Sequence, residues 1–366
     1  MGELTCSTTH VEELSAIGAE LESLFNYLTD TDVSLRFEKT AAPRQSQLSV
    51  LESSAEAIPF SGGLDSFCGS VGNSSPKILV HGILNEIVYG RTMKLRGACS
   101  TLLEWPMVTC QCLYEGIVGG ISQTRGLLFL TLAGLASITI GSKRIAFAEN
   151  GPLMLNPETS PISPPTKNSD PTLVLYMQSI LSQLTENRMS ITCPFKDKTK
   201  AEVVGSTPTR LQSLFGLTNS CHSTRSRGMC GICFGCFVRR MSLSALGYDE
   251  TALYSCDVFS HDLSDFGETR RRRMLDLRQS LRFFAKFLTA DPPDYYHGPS
   301  GFFCDRQGML RRFALDLLLG MHRLFESHPS YRTQNAFGKY CHTLLIGTSP
   351  DLIASRRLEL VQARQA

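Results

Sequence analysis

"AIPFSGGLDSFCG", residues 57–69, is the stretch whose reading decides the fold. An apolar run, Ala57 to Phe60, stops in Ser61-Gly62-Gly63-Leu64-Asp65-Ser66. A strand that ends in paired glycines and then opens a helix turns backbone N–H groups outward, and the helix N-terminus adds partial positive charge. Together these make a place for an anion. Ser61 and Ser66 add hydroxyl donors, whereas Asp65 cannot meet a phosphate directly and is suited to holding Mg2+ or capping the helix. No lysine follows the glycines, so the G-x-x-x-x-G-K-[ST] loop of kinase-type sites is disfavoured. On shape alone an ordinary capped βα turn is the plain alternative.

Around this turn lies a chain of 366 residues, 42% hydrophobic, enough for one large domain or two moderate ones with a proper core. Its 36 basic and 34 acidic side chains leave a net charge of +2, which argues against nucleic acid as the main partner. The beginning of the chain shows no basic and then apolar leader, so a cytoplasmic protein is expected. Its 13 cysteines are then packed fillers, metal ligands or nucleophiles rather than a disulfide framework. The longest uncharged stretch, Gly126 to Ser142, falls below spanning length and reads as a buried helix ended by Gly141, so no membrane partner is expected.

Short apolar strands alternate with helical segments at Ala57–Phe60, Lys77–Leu84, Trp105–Cys110 and Arg144–Ala148, a rhythm that predicts a parallel α/β sheet. Three regions follow from this: a small preface over 1–52, with a helix over Val11–Leu28 and a strand over Val33–Lys39; a nucleotide domain over 53–248; and a helical extension over 249–366. Gly151–Thr172 holds Pro152, Pro157, Pro161, Pro164, Pro165 and Pro171 and is expected to be loop. Helices are predicted over Leu173–Leu184, Thr269–Leu288 and Gly308–Phe325, and another beginning within Pro194–Val204.

Cys221, Cys230, Cys233 and Cys236 stand as C-x8-C-x2-C-x2-C. Overlapping C-x2-C steps bend successive thiolates around one ion, and Gly231 and Gly235 permit the tight turns, which points to a structural Zn2+ site. An iron–sulfur cluster uses the same ligands, and the spacing leaves it open. Cys68 reads as a packed helix residue rather than a catalytic thiol, and Cys110-Gln111-Cys112 is a weak candidate for a reactive pair. Arg270 to Arg273 read as the solvated or partner-facing side of a helix.

Ser61-Gly62-Gly63-Leu64-Asp65-Ser66 resembles the SGGxDS signature of the PP-loop, the pyrophosphate-binding loop of ATP pyrophosphatases. Taken with the four cysteines and the arginines that follow them, it resembles the 7-cyano-7-deazaguanine synthase family, QueC, over residues 55–248. The resemblance implies a PP-loop core with a four-cysteine zinc segment, 221–236, and ATP, Mg2+ and Zn2+ as cofactors. It places Arg125 near the phosphates, Lys200 of "CPFKDKTKAEVV" on the departing pyrophosphate, Asp65 on the metal, and His81, at the end of the second core strand, near adenine. The match weakens at Glu149-Asn150-Gly151, where the family has an aspartate- and arginine-bearing segment that reads the deazapurine.

Longer QueC-like proteins of this layout occur in bacterial anti-phage defence operons, including the Qat and some CBASS systems. That likeness implies activation of a deazapurine-type carboxylate as an acyl-adenylate, for transfer to an amine on a partner protein encoded nearby. Three alternatives are a nitrile synthase using ammonia, a tRNA-modifying enzyme and an inactive binding module. A plain nitrile synthase is expected to work without the residues beyond Gly247, whereas a protein ligase would use the extension, with Arg271 to Arg273 and Phe283, Phe284 and Phe287 as contacts. The extension could equally serve a homo-oligomer.

Overall fold

The computed structural model describes residues 2–40, 54–72, 75–83, 86–111, 121–160, 166–185, 189–221, 228–261, 267–289 and 298–365. Leu84, Cys112, Pro161, Pro164 and Pro165 lie outside the described residues.

The chain opens with β1 (Gly2–Thr8), α1 (Val11–Ala16), α2 (Gly18–Thr29) and β2 (Val33–Lys39). The two strands pair in parallel, Gly2 opposite Val33 through Thr8 opposite Lys39. The sequence reading has one helix here, which breaks at Ile17 into two, and it lacks β1, whose Leu4 is half exposed and leaves little apolar signal. Leu24 and Leu28 of α2 are buried.

The main sheet is built from β3 (Glu56–Pro59), β4 (Lys77–Ile83), β5 (Met107–Gln111), β6 (Arg144–Ala146) and β7 (Ser190–Thr192), in the order β5-β4-β3-β6-β7. Every pairing in it is parallel. The central strands are buried on both faces, with Ala57, Ile58, Ile78 and Leu79 fully enclosed, which is why they read as unbroken apolar runs. Between β3 and β5 run α3 (Leu64–Val71), α4 (Glu86–Ala98) and α5 (Ser100–Glu104). α6 (Ile121–Ile140) then returns across the sheet to β6, and α7 (Gly151–Leu155) and α8 (Pro171–Leu184) lead to β7. Right-handed crossovers put α3 and α5 on one face and α6 and α8 on the other. The chain therefore departs in opposite directions from the ends of β3 and β6, opening a crevice between them where parallel sheets bind ligands.

Gly141, at φ +74°, follows α6 as expected, but Leu135 and Ile138 of that helix are exposed, so it is buried on one side only. No helix among the described residues is long and apolar enough to cross a membrane. The proline-rich stretch is not all loop. Pro152 lies in the first turn of α7 and Pro171 opens α8, where a missing N–H costs nothing.

α9 (Lys200–Gly205) and α10 (Phe234–Ala245) precede α11 (Glu268–Ala285), α12 (Arg306–Ser327), α13 (Ala336–Ile346) and α14 (Pro350–Gln365). The C-terminal helices share one apolar core with the sheet. α12 lies along α10 so closely that a Cβ on Gly320 would meet the Met241 carbonyl at 2.1 Å. Phe284 and Phe287 are buried, Phe284 edge-on to Phe313 of α12 at 4.8 Å, so the expected aromatic contact surface is interior packing. Arg271 and Arg272 are exposed, Arg273 half-buried.

Candidate functional site

The crevice is floored by the glycine turn. Gly62 has φ +72°, and a Cβ there would meet Thr92 Oγ1 at 2.3 Å, so both its conformation and its neighbour demand glycine. The Gly62 carbonyl accepts from Asn219 N at 2.9 Å, and Gly63, in extended conformation, is the N-cap of α3. Gly63 N donates to Ser61 Oγ at 3.3 Å, Ser66 Oγ donates to the Gly63 carbonyl at 3.1 Å, and the two serine hydroxyls lie 3.2 Å apart. The N–H groups of the first turn of α3 have no intrahelical acceptor and face the same mouth. Leu64 and Asp65 are buried just behind it.

Asp65 gathers the site. Its Oδ2 accepts from Lys200 Nζ, at the first position of α9, and from Asn150 Nδ2 at 3.1 Å. Its Oδ1 is buried with no partner. A bare carboxylate oxygen beside a helix N-terminus suits a hard divalent cation, and these residues fit Mg2+. Asn150 is wholly buried and held in turn as the N-cap of α7, accepting from Leu153 N at 3.2 Å. Lys200 is buried and stands directly after Thr199, whose side chain forms a capping box with Glu202.

Glu149, beside Asn150, is partly buried, and that burial together with the charge of Asp65 pushes its carboxyl up to about 7, against Lys200 and Arg125. Arg125 lies near the start of α6, where Gly126 N donates to Asn168 Oδ1 at 3.0 Å. A Cβ on Gly126 would meet the Asn168 carbonyl at 1.6 Å, so the backbone there is pinned and Arg125 with it. The structure thus brings Ser61, Gly62, Gly63, Asp65, Ser66 and Lys200 together, with Arg125 near enough to act on Glu149.

His81 lies one strand over, with its ring buried beneath the turn. Its Nδ1 is 2.6 Å from the Phe60 carbonyl and must therefore carry the proton, and its Nε2 is buried with no partner. Burial lowers its pKa and keeps the ring neutral, so Nε2 is an acceptor. Cys68 is buried, its thiol pushed up to about 12 by burial, and is no nucleophile.

Sequence reading gave no role to Asn150, Glu149, Thr92 or Asn219. The one signal was Asn-Gly-Pro after a strand, the pattern of an N-cap with proline in the first turn.

Cys221, Cys230, Cys233 and Cys236 form a second, separate cluster. All four are buried, and their sulfurs lie within 4.8 Å of one another, Cys230 and Cys236 at 3.8 Å. A tetrahedron of metal–sulfur bonds of ~2.3 Å has edges of about 3.8 Å, so the cage could hold a single metal ion. A four-iron cluster, with each cysteine on its own iron, needs a wider one. Cys230 N and Cys236 N donate to the sulfurs of Cys221 and Cys233, each at 3.4 Å, and Cys233 caps α10. Hydrogen bonds from the other three thiols drive the Cys230 thiol far below its ordinary range. Gly231, at φ +79°, turns the chain where a Cβ would meet the Cys256 carbonyl at 1.8 Å. Below the cage the wholly buried Arg239 grips Glu250 twice, at 2.6 and 2.8 Å, and the Phe215 carbonyl at 2.6 Å.

No curated protein matches the chain. Residues 123–247 match the family described as queuosine biosynthesis protein QueC. The matched third of the chain holds Arg125, Glu149, Asn150, Lys200 and the four cysteines and stops short of the glycine turn. Match and geometry together support a PP-loop family of the QueC kind, whose chemistry is ATP-dependent joining of a carboxylate to an amine.

Proposed function

We propose that the protein activates a carboxylate of the 7-deazaguanine class with ATP, forming an acyl-adenylate, AMP's precursor, and pyrophosphate, and passes the acyl group to an amine on a partner protein. The observation that carries this is Asp65 at the glycine turn, one oxygen held by Lys200 and Asn150 and the other bare. A substrate carboxylate oxygen attacks the α-phosphorus of ATP, and the bond to the bridging oxygen breaks to release pyrophosphate. The first N–H groups of α3, the Ser61 and Ser66 hydroxyls, Lys200 and Arg125 take up the charge that develops there. Mg2+, held by Asp65, supplies further neutralisation of the phosphates. His81 Nε2 is free to accept from the adenine amine. The amine then attacks the acyl carbon, Glu149 takes its proton, and AMP leaves. Zn2+ in the four-cysteine cage has no open position and does no chemistry.

The long C-terminal region supports the likeness to QueC-like proteins of anti-phage defence. A second reading, ammonia as the amine, with the amide so formed activated by a second ATP and losing its oxygen with AMP to give a nitrile, is favoured by the burial of Phe284 and Phe287, which removes the aromatic surface a protein acceptor was expected to meet. Intact mass separates the two. Full-length protein is given ATP, Mg2+ and 7-carboxy-7-deazaguanine with either ammonia or the proteins encoded beside it. An adduct on one of those proteins supports the first reading. Free nitrile as the sole product assigns the second.

A further inference from the structure

We propose that α12 and α14 are the brace of the Asp65 cluster, with Arg312, Asp316 and Arg356 acting as positioning residues for Lys200. The brace is a statement about geometry; its consequence for nucleotide binding rests on the function proposed above.

α9 has six residues, too few to hold a helical turn in place by itself. Its position is set by what grips its first turn. Thr199 Oγ1 donates to Asp316 Oδ2, and Arg356 Nε donates to Asp316 Oδ1 at 2.7 Å. Glu202, the other half of the capping box, accepts at Oε1 from Arg312 Nε at 2.9 Å and Arg356 Nη2 at 2.7 Å. Arg312 Nη2 also donates to the Asp197 carbonyl at 2.9 Å, and Cys304 N to Asp197 Oδ1 at 2.7 Å. Asp316 is 0% and Arg356 2% exposed, so these are not surface pairs screened by water.

The same helix reaches the second partner of Asp65. A Cβ on Gly151 would meet Met309 Sδ of α12 at 2.0 Å and the Lys196 carbonyl at 2.1 Å, and Gly151 N donates to the Lys198 carbonyl at 3.0 Å. Asn150, one residue before, and Lys200, two residues after Lys198, are the two groups on Asp65 Oδ2. Both are thus wedged from behind by residues more than 100 positions further along the chain. A capping box needs no outside help to start a helix. Three ties from α12 and α14 to one such box are needed only if its place in space matters.

The test uses the full chain and two readouts. Arg312→Ala removes two ties without leaving a buried unpaired charge, since Glu202 keeps Arg356 as its partner; Asp316→Asn cuts deeper. Backbone amide hydrogen exchange over residues 196–204 should rise at least about tenfold in Arg312→Ala while the sheet strands stay protected. Binding of α,β-methylene-ATP with Mg2+ should weaken about tenfold in Lys200→Met and about three- to tenfold in Arg312→Ala. The double variant should bind no worse than Lys200→Met alone, because one residue acts through the other. Unchanged exchange over 196–204 in both Arg312→Ala and Asp316→Asn, or losses that multiply in the double variant, overturns the proposal. If the unaltered protein fails to bind the analogue while exchange rises as expected, the brace stands and the nucleotide reading falls.

Discussion

Asp65 and Asp316 are both buried aspartates paired with a buried base, and they differ in what is left over. Asp316 spends both oxygens, on Arg356 and Thr199, and sits at 0% exposure among residues that satisfy one another. Asp65 spends one oxygen and keeps the other bare, in a crevice where the first N–H groups of α3 also lack acceptors. A folded protein leaves a buried acceptor unpaired at a cost of about 1–3 kcal/mol, and at Asp65 that spare oxygen stands beside Lys200 and the glycine turn, where the function proposed above puts a cation. The four cysteines belong with Asp316: their sulfurs are close enough together to close around one ion, and all four are buried.

The comparison is broken most severely by removing the closed side altogether. A chain cut at Gly247 loses α12 and bares the face of α10 against which Gly320 lies. At about 1.5–3 kcal/mol for each large side chain uncovered, it should be insoluble or unfolded by circular dichroism. A soluble, active fragment would show that the closed region is an appendage. Next in size, Cys233→Ser should abolish metal retention and cooperative unfolding of the segment around α10, since a structural zinc site contributes on the order of 10 kcal/mol. Metal analysis of the unaltered chain should give one zinc; a metal-free variant that melts normally contradicts this.

Asp65→Asn and Asp316→Asn should then separate the two classes. Asparagine at Asp65 still accepts from Lys200 but holds a cation poorly, so pyrophosphate release should fall by about a hundredfold or more. Asparagine at Asp316 weakens a buried ion pair and should cost roughly 3 kcal/mol in thermal unfolding. Equal losses of pyrophosphate release would erase the distinction.

Much of this was legible because it is local. The six-residue turn and the C-x8-C-x2-C-x2-C spacing carry their chemistry within a few residues, and the parallel sheet follows from apolar runs of strand length. Asn150 and Glu149 were visible only as a departure, because their meaning comes from Asp65, about 85 positions earlier in the chain. Asp316 and Arg356 lie among ordinary amphipathic helices, and nothing near them in sequence says that Thr199 and Glu202 are their partners. Phe284 and Phe287 misled for the converse reason: aromatic residues at helical spacing mark a buried face as readily as a binding one.

The smallest effect concerns Glu149. Burial and the charge of Asp65 push its carboxyl from 4.5 up to about 7, so the native state holds the proton more tightly and loses stability as pH rises through that window. Glu149→Gln should therefore raise the melting temperature by a few degrees at pH 8 and leave it unchanged near pH 4. If Glu149 takes the amine proton, turnover of the unaltered protein should climb through pH 7 and the variant should lose that limb. A variant with the full pH profile removes Glu149 from the chemistry.

The account stands or falls on which phosphorus is attacked. Exchange of labelled pyrophosphate into ATP, followed with full-length protein, Mg2+ and 7-carboxy-7-deazaguanine before any amine is added, reads that step alone. Label should enter ATP only when the carboxylate is present and not with Asp65→Asn. Formation of ADP and phosphate in place of exchange would contradict an adenylating site at Ser61–Ser66.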